Sequence, residues 1–267
     1  MLQQDNSEKV SEAFSKQSVV FDELDKQNPL SKHLRNIFRE EVMSHLKPGS
    51  SILELNCGTG LDAIYFASLG HHVLATDNAP GMIAALQDKV DRLGLTDAVS
   101  CQRLNYHDLS RLAPQKFDFI VSNFGGLNCT PDLEDVLNQL APLLNEGGKV
   151  TLVIMPKICP WELAMVLKGK LRTAFRRFKK KTSANVEGVS FDCYYYNPSY
   201  VISRVKDTFH VRGLKGIFIT VPPEFYQNFV ERYPLLYRIL SRTDNIIGRV
   251  FPFNRCCDHF MITLQKR

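Results

Sequence analysis

From Ser51 onward, short runs of apolar residues alternate with stretches in which apolar positions recur every three or four residues. The runs predict strands over Ile52–Leu55, Val73–Thr76, Val99–Leu104, Phe119–Ser122 and Val150–Met155. The periodic stretches predict helices near Asp62–Leu69, Gly81–Leu93 and Leu133–Leu144. Strand and helix in such alternation imply a parallel sheet covered by helices on both faces. Residues 7–46 read as helices with a break at Pro29, since Leu34, Ile37, Phe38, Val42 and Leu46 keep helical spacing, and Pro48-Gly49 ends the stretch. After Pro156 the chain predicts a long basic helix to about Lys181 and a loop at Tyr194–Tyr196. A helix around Ser199–Phe209, a strand around Leu214–Val221, a helical stretch over Glu224–Ile247 and a last strand His259–Leu264 follow. The expected architecture is α/β, with a seven-stranded, mostly parallel sheet and a helical cap made by insertions.

The basic stretch has its own pattern. Leu163, Leu167, Leu171, Phe175 and Phe178 recur at steps of four, four, four and three, one apolar stripe on one helix. Lys168, Lys170, Arg172, Arg176, Arg177, Lys179, Lys180 and Lys181 fill the rest, and no acid falls between Leu163 and Val186. Two readings stand: a solvated charged face on a cap, or an interfacial helix or anion-binding lid suited to a lipid-like or phosphorylated acceptor at a membrane surface. Tyr194–Tyr196, Phe225, Tyr226, Phe229, Tyr233 and Tyr237 fit an apolar acceptor pocket and core packing equally well.

With 44% apolar, 23% charged and 10% aromatic residues, the 267-residue chain has the composition of a globular protein, and its formal charge of +5 permits an anionic partner without demanding one. Seven Cys without a C-x-x-C pair read as reduced thiols. The His spacings support no metal site. The polar start Met1–Glu8 lacks the apolar segment of a signal peptide, and no apolar run approaches the ~18 residues of a membrane span, so the expected location is the cytoplasm.

The first strand runs through Glu54 into Asn56-Cys57-Gly58-Thr59-Gly60 and straight into a helix. Glycines let a backbone turn sharply and approach a ligand, and the helix that follows presents unpaired N–H groups. Asp77 ends the second strand seventeen residues after Gly60, about where a ribose-binding acid sits in nucleotide-binding units. The turn also satisfies the dinucleotide pattern G-x-G-x-x-A, which keeps an NAD(P)-dependent oxidoreductase in view. Glu54 weighs against it: an acid inside the first strand suits the ammonium of an amino-acid ligand and has no partner on a nicotinamide dinucleotide.

On these residues the chain resembles the class I methyltransferases that use S-adenosyl-L-methionine (SAM), of the ubiquinone/menaquinone type, over roughly residues 50–156. The resemblance implies a SAM-binding Rossmann-like core over 49–156 and a segment over 1–48 that closes over the cofactor; the pattern of the chain itself adds a basic helical insertion or lid over 157–198 and a C-terminal part of the core over 199–267 with a helical insertion near 224–247. It implies that Asp77 binds the ribose, that Asn78 and Met82 flank the adenosine, and that Asn105 and Tyr106 stand at the adenine. It places Asn123 and Phe124 at the methionine end and Phe21, with Ala13-Phe14 and Asp22, in the closing segment. Leu143–Gly148 looks like the family's turn before the fifth strand. Asn56 replaces the first glycine of the family motif, a change that Asn tolerates because it visits left-handed backbone angles, and Asn105 replaces an acid. A SAM-binding protein without catalysis is the other alternative.

Methyl transfer depends on alignment of the acceptor in a dry site, so a general base is optional. His107, between Tyr106 and Asp108, is a candidate base or a surface loop residue. Asn128 is a candidate for orienting the acceptor or a turn amide before Pro131. Cys57 reads as small-residue packing. Enzymes of this class that methylate nucleic-acid amines carry Asn/Asp-Pro-Pro-aromatic after the fourth strand, where this chain has Asn123-Phe124-Gly125-Gly126, so a small molecule is the expected acceptor and nucleic acid is not an expected partner.

Overall fold

The computed structural model describes residues 2–267, with side-chain surroundings from residue 5 onward. Three helices come first: α1 (Leu2–Gln17), α2 (Phe21–Gln27) and α3 (Pro29–Met43). Pro29 starts α3 instead of merely breaking a helix. Its missing N–H costs nothing in a first turn, and Asn28 caps that turn by accepting from the amides of Leu30 (3.0 Å) and Ser31 (3.3 Å).

The core follows as β1 (Ser51–Leu55), α4 (Leu61–Ser68), β2 (His72–Asp77), α5 (Pro80–Leu93), β3 (Val99–Arg103), β4 (Phe117–Ser122), α6 (Leu133–Leu140) and β5 (Leu144–Ile154). Next come α7 (Pro160–Leu163), α8 (Leu171–Ala174), a hairpin of β6 (Thr182–Val186) and β7 (Val189–Cys193), α9 (Pro198–Val205), β8 (Phe209–Ile217), α10 (Phe229–Arg232), α11 (Pro234–Ile247) and β9 (His259–Lys266). The main sheet has the order β3-β2-β1-β4-β5-β9-β8. Its first five strands are parallel, and β9 enters antiparallel between β5 and β8. Successive side chains on β1 serve opposite faces: Ile52 packs with Phe38, Phe66 and Leu86 under α3, α4 and α5, while Leu53 packs with Leu137, Leu140 and Phe260 under α6.

Three expectations need correction. The basic stretch is not one helix: Gly169 takes φ +69°, ending a first run of turns, and only the four-residue helix α8 and a further single turn follow. The expected stripe and its fully solvated cationic face go with it, because Arg177 is buried. The loop before Tyr194 is the β6–β7 hairpin, turned at Glu187 (φ +48°) and Gly188 (φ +79°). Glu-Gly is a weaker turn signal than Asn-Gly, which hid it. Finally, β8 begins at Phe209, five residues before Leu214, because its exposed start alternates apolar and polar residues at the sheet edge.

Candidate active site

The turn after β1 is shaped by three residues with positive φ, Asn56 (46°), Gly58 (56°) and Gly60 (78°). At Gly60 a Cβ would lie 2.1 Å from Leu86 Cδ1, so this glycine lets α4 seat against α5 and does not line the cavity. Gly58 faces a cavity at the C-terminal ends of β1, β2 and β4. Its amide donates to Asp77 Oδ2 at 2.9 Å, and the amide of Ala79 donates to Asp77 Oδ1 at 2.8 Å. Burial nevertheless raises the Asp77 pKa against these bonds. Asp77 is thus held rigidly at the cavity edge.

Glu54 lies on the central strand between Ala75 and Val121, and is 3% exposed. Its Oε2 has no hydrogen-bond partner although it is fully buried in the cavity wall. Burial, reinforced by the nearby Asp62 carboxylate, pushes its pKa well above the usual range, with Arg35 and Arg39 opposing. A buried carboxylate oxygen without a donor is costly unless a ligand completes it. SAM carries the group that would do so, an ammonium on its methionine end.

One side of the cavity is walled by Asn78, Met82, Asn105 and Tyr106, and Phe21 reaches over Gly58. The Asn105 amide donates to Ser7 Oγ at 2.8 Å, its Oδ1 accepts from the His107 amide at 3.0 Å, and Asn78 also donates to Ser7 Oγ at 3.2 Å. These bonds moor α1 across the cavity. The hairpin clamps it from outside, where Asn6 accepts from the Asp192 amide (2.7 Å) and Phe14 packs on Phe191, and the turn after β4 adds Cys129 O, to which Asn6 donates (2.9 Å).

Asn123 and Phe124 also line the cavity, and here the structure adds residues that the sequence had not marked. Arg35 from α3 binds Asp62 Oδ2 at 2.7 Å and Asp25 Oδ1 at 2.7 Å, and lies over the Phe124 ring at 4.4 Å. Asp62 also takes Arg39 (2.7 Å) and Asn123 (3.0 Å). The four-residue spacing of Arg35 and Arg39 puts both on one side of α3, but a spacing by itself does not name Asp62 as their partner.

The two candidate catalytic residues are not brought to the cavity. His107 Nε2 lies 2.8 Å from Thr130 Oγ1, its ring stands edge-on to Tyr106, and burial lowers its pKa. Asn128 is fully buried and spent as a clip: it donates to Met155 O (3.1 Å) and Tyr194 O (2.6 Å) and accepts from the Met155 amide (2.9 Å). Both of its amide hydrogens are taken, and it does not line the cavity. Cys57 is buried, with its thiol pKa pushed well up by burial.

Comparison with known proteins agrees with this geometry. Residues 52–148 match the methyltransferase domain family. A demethylmenaquinone methyltransferase of Bacillus cytotoxicus is 30% identical over 154 residues, covering 56% of this chain and 63% of that protein. Among solved structures, a putative S-adenosylmethionine-dependent methyltransferase from Listeria monocytogenes superposes with TM-score 0.59 at 14% identity, covering 85% of this chain and 96% of the other. The cyclase SpnF superposes with TM-score 0.62 at 12% identity over 98% and 97%. The fold of the core is the one that such SAM-dependent methyltransferases share, and the chain spans less than two thirds of the length of the Bacillus relative. The antiparallel strand between β5 and β8 separates this fold from the all-parallel dinucleotide order.

Proposed function

We propose that this protein transfers a methyl group from SAM to a small, lipid-like acceptor. The observation that carries the reading is Glu54: a buried carboxylate with an unpartnered oxygen, in one cavity with the backbone-held carboxylate of Asp77. Bound SAM supplies an electrophilic methyl group. Glu54 would hold its ammonium, Asp77 its ribose, Phe21, Met82 and Tyr106 its adenine, and Asn123 and Phe124 its methionine end. α1 and Phe21 cover the cavity and exclude water, which leaves alignment as the chain's main contribution to rate. Val10, Phe14, Leu61, Leu104 and Phe124 make the walls largely apolar. The name of the Bacillus relative, with its quinone, agrees with such an acceptor.

Calorimetric titration with SAM and with NAD(P) tests the cofactor, and formation of S-adenosylhomocysteine on adding a demethylated quinol tests the transfer. Asp77→Ala should weaken SAM by about 1–3 kcal/mol, the scale of lost hydrogen bonds to a charged group. Binding of NAD(P) in place of SAM would replace this reading with the oxidoreductase one. SAM binding without turnover on any demethylated quinol would leave a non-catalytic binding protein.

A further inference from the structure

The large apolar side chains that this protein leaves in solvent are concentrated in two segments: 14 of the 20 among the described residues lie within 166–178 and 225–253. The sheet puts both segments at one edge. Residue 156 follows the end of β5, where Ile154 pairs with Phe260, and β8 ends at Ile217 opposite His259. The cavity holding Glu54 and Asp77 lies at this same edge. Arg177 ties the first segment to Asp258, just beyond the second, binding both its carboxylate (2.5 Å) and its backbone carbonyl (2.9 Å), and Trp161 packs on Tyr226 with ring centroids 6.0 Å apart.

Helix α11 shows the feature most sharply. Its inner side carries Tyr237 and Leu240 against the core, and Asp244 accepts from the amides of Ile219, Thr220 and Val221 at 3.0, 2.8 and 3.2 Å. Its outer side should then be polar. Instead Leu235 (73% exposed), Ile239 (61%) and Ile246 (75%) form a second apolar stripe, with Arg238 and Arg242 beside it. The other segment adds Leu167, 90% exposed, and the turn after α11 adds Phe251, 72% exposed. An apolar surface of this extent marks a contact face.

Charge says what the contact is with. Residues 157–181 contain nine cations and one acid, Glu162, and Arg176 and Arg177 occupy that acid. Lys157, Lys168, Lys170, Arg172, Lys179 and Lys180 have no ion-pair partner among the described residues. We propose that these two segments form one docking face for an anionic lipid bilayer, with the apolar side chains in the interfacial layer and the lysines and arginines on the headgroups. The proposal rests on reading the cavity as the site of a lipid-like acceptor, which this face would meet in the bilayer. A nucleic acid satisfies the cations but leaves Leu167, Leu235, Ile239, Ile246 and Phe251 in water.

The test is flotation of the full chain with vesicles of phosphatidylcholine alone and of phosphatidylcholine mixed with phosphatidylglycerol. Binding should require the anionic lipid and fall as salt shortens the Debye length from about 10 Å to about 3 Å. Arg238→Gln with Arg242→Gln should weaken it by about fivefold per cation removed. Ile239→Ser with Ile246→Ser should weaken it at every salt concentration, and neither pair should change SAM affinity. No binding to anionic vesicles at low salt, unchanged binding by the Ile239→Ser/Ile246→Ser variant, or preference for RNA over vesicles would each overturn the docking face. Methyl transfer assayed in detergent on the same samples separates the two readings: transfer without vesicle binding removes the docking face alone, and vesicle binding without SAM binding removes the methyltransferase reading alone.

Discussion

Arg35 and Asp62 form a buried ion pair at 2.7 Å, with side chains 8% and 2% exposed, in the wall that also holds Glu54. The pair joins α3 to the first turn of α4, so the N-terminal helices are tied electrostatically to the glycine turn. Arg35→Met would leave Asp62 with Arg39 and Asn123 but strip one of its two cations. Loss of one partner of a buried pair costs about 3–5 kcal/mol, while replacing both by apolar residues is often neutral. Urea unfolding should therefore show a large loss for Arg35→Met and substantial recovery in Arg35→Met/Asp62→Leu. A loss below about 1 kcal/mol, the range of surface pairs, would show that solvent reaches this pair.

Glu54 predicts a pH dependence with a definite sign. Burial raises its pKa in the folded, ligand-free protein, so the native state holds a proton that the unfolded chain releases near the usual carboxylate value. Ligand-free stability then falls as pH rises from the unfolded pKa through the folded one. A cationic ligand needs the carboxylate ionised, so SAM affinity should rise with pH over that same window and level off above it. Glu54→Gln should flatten both profiles, stabilise the ligand-free protein at alkaline pH, and weaken SAM more than adenosine. Equal losses for SAM and adenosine would assign Glu54 a structural role.

The features readable in the sequence are those carried by local pattern. The strands of the core, the turn at Gly58 and Gly60, and the place of Asp77 follow from period and spacing, because a parallel sheet buries its strands and puts its turns at fixed ends. What stayed hidden depends on distant partners. Nothing near Arg35 in the chain announces Asp62, twenty-seven residues away. The stripe from Leu163 to Phe178 suggested one helix because periodicity is blind to the positive φ of Gly169. His107 and Asn128 stand close in sequence to cavity residues, yet Thr130 and the Met155 and Tyr194 backbones claim their polar atoms.

Arg177 gives a second electrostatic prediction. Asp258 is buried, which alone would raise its pKa, but His259 and Arg177 outweigh burial and hold it well below the usual carboxylate range. A folded-state pKa below the unfolded one contributes stability at neutral pH that is lost as pH falls through the folded value. Arg177→Met removes a cation from Asp258 and Glu162 together and should cost about 3–5 kcal/mol at neutral pH. The gap between wild type and variant in urea unfolding should narrow as the medium is acidified below the usual carboxylate range. A gap that stays constant with pH would show that packing, not charge, sets the loss.

The last prediction concerns Asn56, the residue that departs from the family's glycine. Its φ of +46° is one that glycine adopts freely, so the side chain must be compensated. It accepts from Ser122 Oγ at 2.7 Å and donates to Asn123 O at 3.1 Å, pinning the end of β4 beside the cavity. It also fills the space that a side chain on residue 126 would need, since a Cβ on Gly126 would lie 2.4 Å from Asn56 Nδ2. The two positions should therefore be coupled. Gly126→Ala alone forces an overlap and should cost about 1–3 kcal/mol. Asn56→Gly alone loses two hydrogen bonds, about 1 kcal/mol each, and regains part of that through the relaxed backbone. In the double variant the overlap is gone, so its stability should exceed the sum of the single losses by about 1–3 kcal/mol, the scale of coupling between residues in contact. Urea unfolding of the four proteins measures this directly, with SAM titration as a check that the cavity survives. Strictly additive losses would mean that the turn moves aside without cost and that Asn56 is an incidental substitution.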